Sequence, residues 1–137
     1  MAIPLSKYKD KAGDQGGNIA RHIAKILSMP NNQSVNNWKN EIGTFITNIT
    51  EQDVKSGKKK YSYFMIPYSS VRSFKSMVTN LYQHPDYKSH IEVNITGEEL
   101  MNRTLKFIEL LDADRLITGN DDLPFETVVK NLDEALK

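Results

Sequence analysis

The 137-residue chain reads as a single α-rich α+β domain, with about five helices around a small two- or three-stranded sheet. Three observations predict this. Five segments carry apolar residues at three- and four-residue spacing, and two short runs, YSYFMI and HIEVNI, alternate with period two. The length is enough for one core without staples. The expected organisation is a helical hairpin over 13–50, a β-α-β-like unit over 59–95 and C-terminal helices over 97–137.

After a polar, glycine-containing lead, KAGDQGGN, the residues Ile19, Ile23, Ile26 and Leu27 recur at helical spacing until Pro30 closes the segment. Ser34 can cap the next helix, in which Val35, Trp38, Ile42, Phe45 and Ile49 form a 3-4-3-4 stripe. The connector MPNNQS is short enough to make the two helices antiparallel neighbours. Trp38 belongs to the stripe and is assigned to the core.

Thr50 to Lys60 is polar and contains Gly57, which predicts a loop; YSYFMI then predicts a strand ending at Pro67. Ser69 or Ser70 caps a helix carrying Val71, Phe74, Met77, Val78, Leu81 and Tyr82, which stops before Pro85. HIEVNI places Ile91, Val93 and Ile95 on one face of a second strand, so that strand, helix and strand make a right-handed parallel crossover.

Thr96 and Glu99 form a capping box ahead of a helix over 97–112 with Leu100, Met101, Thr104, Phe107, Ile108 and Leu111. DADRLITGNDD is read as a connector. Pro124 then suits the first turn of a last helix bearing Phe125, Val128, Val129, Leu132 and Leu136.

The absence of cysteine excludes disulfides and thiolate-ligated metal centres. The N-terminus lacks the apolar region of a secretory signal, and no apolar run approaches the ~20 residues of a membrane span. A cytoplasmic, non-membrane protein is expected, and the sequons at Asn32, Asn48, Asn94 and Asn102 then carry no meaning.

No nucleophile motif, P-loop or dinucleotide fingerprint occurs, and His22, His84 and His90 lack metal-ligand spacing. The acids Asp112, Asp114, Asp121 and Asp122 fail as a calcium loop, because Leu116, Ile117 and Leu123 fall where two oxygen ligands and a glycine are needed. No catalytic residue, metal ligand or cofactor is assigned.

Charge carries the functional reading. Residues 1–95 hold 13 Lys/Arg against 7 Asp/Glu, and residues 96–137 hold 5 against 10, so a net charge of +1 conceals two opposed halves. In KSGKKKYSYF, Lys55, Lys58, Lys59 and Lys60 precede Tyr61 and Tyr63, joined farther on by Arg72 and Lys75. Ammonium groups beside aromatic faces are the pairing that single-strand binders use. KKYSYFMI overlaps the aromatic strand signature of RNA-recognition motifs, yet Lys60 replaces the expected glycine and two helices come first, so that family is not assigned.

The expected function is a small non-catalytic binding protein for an anionic partner, with nucleic acid the first choice. The alternative is a protein–protein adaptor or inhibitor using the acidic C-terminal helices, with 123–137 as a contact segment. The oligomeric state is left open.

Overall fold

The protein is described by a computed structural model, which covers residues 5–56, 70–119 and 123–137, with side chains over 16–48, 70–119 and 123–137. It contains α1 (Leu5–Ser28), α2 (Val35–Ser56), α3 (Val71–Gln83), α4 (Gly97–Thr118) and α5 (Phe125–Leu136), plus a 3₁₀ turn at Lys88–His90. No strand occurs among the described residues, so the α+β expectation is corrected to an all-helical fold. The strand expected at YSYFMI lies outside the described residues.

The second expected strand fails for a physical reason. A strand needs a neighbouring backbone ladder, and HIEVNI has side chains and a helix end instead. The carbonyl of Ser28, at the end of α1, accepts from the amides of Glu92 at 2.8 Å and Val93 at 3.0 Å. The Tyr82 hydroxyl accepts from the Ile95 amide at 2.6 Å and donates to the Val93 carbonyl at 3.2 Å, with Ser28 Oγ 3.3 Å away. Ile95 is buried whereas Val93 is 45% exposed, so the alternating residues do not share a face.

Helices α1, α2, α5 and α4 touch in a closed circuit, and α3 lies against α1 and α4. α1 begins well before the expected position, running through the glycine-rich lead. Its Gly16, Ala20 and Ala24 are all buried at four-residue spacing. Packing a ridge of small side chains outweighs the roughly 1 kcal/mol per residue by which glycine disfavours a helix.

α2 and α4 are also longer than expected, reaching Ser56 and Thr118. The end of α4 is set by Gly119, whose φ of 68° lets its amide bond back to the Arg115 carbonyl. Pro124 is the N-cap of α5 rather than a residue of its first turn.

The core contains Ile19, Ile23 and Met29 of the first helix and its end, Ile42 of α2, Phe74 of α3, Leu100, Phe107 and Leu111 of α4, and Leu132 of α5, all fully buried. The apolar stripe of α5 is covered within the chain: Val128, Leu132 and Ala135 are buried, while Phe125 lies half-exposed over Gly43. Lys39 pairs with Asp133 at 2.8 Å, and the Arg103 guanidinium donates to the Ala135 and Lys137 carbonyls at the end of α5. A cation at those carbonyls complements the negative end of the helix dipole.

Tyr82→Phe should lower unfolding free energy by about 1–3 kcal/mol, because the buried Ile95 amide loses its acceptor; chemical denaturation measures it. Gly97→Ala should cost a similar ~1–3 kcal/mol, because the new Cβ would stand 2.5 Å from the Lys75 backbone nitrogen. At Gly119 there is open space, so alanine there should cost only the left-handed backbone strain of about 1–2 kcal/mol.

Candidate functional site

Two turns of α1 present Asn18, Arg21, His22 and Lys25 toward α3, because these positions follow the helix repeat on the flank of its buried Ile19–Ile23–Ile26 stripe. α3 answers with Asn80 and, where Pro85 forbids its continuation, the turn carrying His84, Asp86 and Tyr87. Between them lies a cleft of about 390 Å³. It falls within the range of ~300–1,000 Å³ usual for small-ligand sites.

The cleft is cationic. Arg21 is exposed and Lys25 half-buried, and neither has a carboxylate partner among the described residues. Lys25 instead places its ammonium 4.8 Å from the Tyr87 ring centroid and 5.8 Å from that of Trp38, whose rings meet edge-on at 6.3 Å. Aromatic faces attract the cation through their quadrupole, fixing it without neutralising it.

Hydrogen bonding assigns the histidines. His22 Nδ1 donates to the Asn18 carbonyl at 2.9 Å, leaving Nε2 for a proton-mediated contact with Glu41 Oε2. Both ring nitrogens of His22 are therefore engaged, and the ring packs edge-on against Phe45. His22 is a brace between α1 and α2.

His84 differs. Its Nδ1 accepts from the Asp86 amide at 3.1 Å, which puts the proton of the neutral ring on Nε2. The Asp86 carboxylate, 3.9 Å from the same nitrogen, is beyond hydrogen-bond range. The half-exposed imidazole thus offers an open face and an N–H donor, and its ring stands 5.0 Å from Tyr87, tilted by 46°.

Of the residues selected from the sequence, Arg72 and Lys75 are exposed on α3 and do not line the cleft, the Lys75 backbone lying against Gly97 of α4, and neither has an ion-pair partner among the described residues. Lys55 belongs to the last turn of α2, and its side chain is outside the described residues. Lys58, Lys59, Lys60, Tyr61 and Tyr63 lie outside them too.

Sequence reasoning missed Arg21, Lys25, His84 and Tyr87. The i,i+4 cations on α1 were visible, but the α3 turn that completes the cleft is a tertiary neighbour. No group of three or more His, Cys, Asp or Glu among the described residues is placed to hold a metal ion. No helix among them is long and apolar enough to cross a membrane.

Comparison with known proteins returns no matching family model, no matching curated protein and no matching solved structure.

Lys25→Met keeps the stem of the side chain and removes its charge. It should destabilise the protein by about 0.5–2 kcal/mol and alter the emission of Trp38, the single tryptophan. Unchanged emission and an unchanged urea midpoint would exclude the cation–π role.

Proposed function

We propose that this chain is a small non-catalytic binding protein for single-stranded nucleic acid, engaged through cations of α1 and α3. The observation that carries the reading is the set of Arg21, Lys25, Arg72 and Lys75, four cations without a carboxylate partner among the described residues. Cations left unneutralised by their own chain attract a polyanion from solution, and release of its counterions drives binding. The sequence cluster Lys55, Lys58, Lys59, Lys60, Tyr61 and Tyr63 supports the reading through its composition of charge and stacking groups.

Titration of labelled single-stranded oligonucleotides tests it. Log affinity should fall with log salt by about 0.7 per phosphate contacted, at similar affinities for different sequences. Substituting Lys58, Lys59 and Lys60 by glutamate should flatten that slope, and so should Arg21→Gln. No binding at low salt overturns the proposal.

A second reading, a protein–protein adaptor or inhibitor, draws support from one patch. Leu116 and Ile117, at the end of α4, are 72% and 81% exposed. An exposed apolar pair of this kind suits a protein contact. Under it, charge reversal within 109–134 ends association while the lysine substitutions leave it intact; under the first reading the pattern inverts.

A further inference from the structure

We infer that the α1–α3 cleft receives one nucleotide unit, with its phosphate between Arg21 and Lys25 and its base on the imidazole of His84. The inference rests on the anion-binding reading above and names what occupies the cleft.

The cleft is chemically two-sided. At the α1 end, the guanidinium of Arg21 and the ammonium of Lys25 supply charge, the latter already held in place by Tyr87 and Trp38. An ammonium held in this way, one helical turn from a guanidinium, suits phosphate oxygens. At the other end stand the half-exposed His84 ring and the Asp86 carboxylate, 80% exposed.

A bare inorganic anion matches only the first end. It would be repelled by Asp86 and would leave the ring unused. A ligand that is anionic at one end and hydroxylated and aromatic at the other satisfies both: ribose hydroxyls donate to Asp86, and a base stacks on His84. The hydrogen bond that the Asp86 backbone N–H donates to Nδ1 orients that ring and leaves Nε2–H to donate to the ligand. A volume of about 390 Å³ suits one such unit rather than a run of several.

The same fold places a reporter beside the site. Tyr87 lines the cleft and touches Trp38, so tryptophan emission follows occupancy without a label.

The test titrates the unmodified protein with adenosine 5′-monophosphate, ribose 5-phosphate and adenosine, reading Trp38 emission and calorimetric heat. Expected is at least roughly tenfold tighter binding of the mononucleotide than of either fragment, in line with one base stack plus one phosphate contact. Arg21→Gln, on an exposed side chain, should weaken the mononucleotide toward the level of adenosine and leave adenosine itself unchanged. His84→Ala should reduce it to the level of ribose 5-phosphate, and His84→Phe, which keeps a stacking face, should restore most of the loss.

Equal affinity for the mononucleotide and ribose 5-phosphate overturns the inference in favour of a simple phosphate site. Oligonucleotide binding with no response to the mononucleotide also overturns it, while leaving the broader function standing. Failure of both ligands removes both. Because the three-ligand comparison uses the native chain, a variant that fails to fold does not shield the inference.

Discussion

The burial of α1 is the constraint on which the rest depends. It touches α2, α3 and α4, and its Ile19, Ala20 and Ile23 have no exposed surface. Close approach needs a narrow helix, which Gly16, Ala20 and Ala24 provide. With α2 and α4 seated, the flank of α1 that carries Arg21 and Lys25 borders the cleft against α3. The positions of Arg21 and Lys25 follow from the hydrophobic packing rather than from any attraction between charges.

The polar devices serve that packing at its margins. Ser70 and Thr96 accept from Ser73 and Glu99 amides, satisfying donors at the starts of α3 and α4. His22 and Glu41 brace α1 against α2, and Arg103 fastens the end of α5 to α4. The cross-helix bonds join elements whose apolar contacts already hold them, so they fix angle and register more than they supply stability. Lys39 and Asp133, both partly exposed, belong to this group.

Much of the helical frame was legible because periodicity is a local signal. The stripe containing Trp38 and Ile42, the Ser70 and Thr96 caps and the Phe107–Leu111 face all fall where spacing placed them. The errors arise where a local signal is outvoted. Glycines before Ile19 suggested a lead, yet buried small residues make a helix there. DADRLITG read as a loop through its acids, although Gly119, the true stop signal, stood in the string. HIEVNI alternates like a strand but meets the Tyr82 hydroxyl and the Ser28 carbonyl in place of a ladder. The cleft was hardest to foresee: Arg21 and His84 are 63 positions apart, and nothing local to either names the other.

The Tyr82 clasp has a consequence for the cleft. The segment from His84 to Ile95 leaves the cleft rim at one end and is fastened at the other by a phenol and one helix carbonyl. Most of what lies between, including Lys88, Ser89, His90 and Asn94, faces solvent. The rim is therefore tethered at two posts, and within the span Tyr87 and Ile91 pack on the core while the Glu92 carboxylate accepts from Asn31. Change at its solvent-facing positions, Lys88, Ser89, His90 and Asn94, leaves the helices and their core contacts in place.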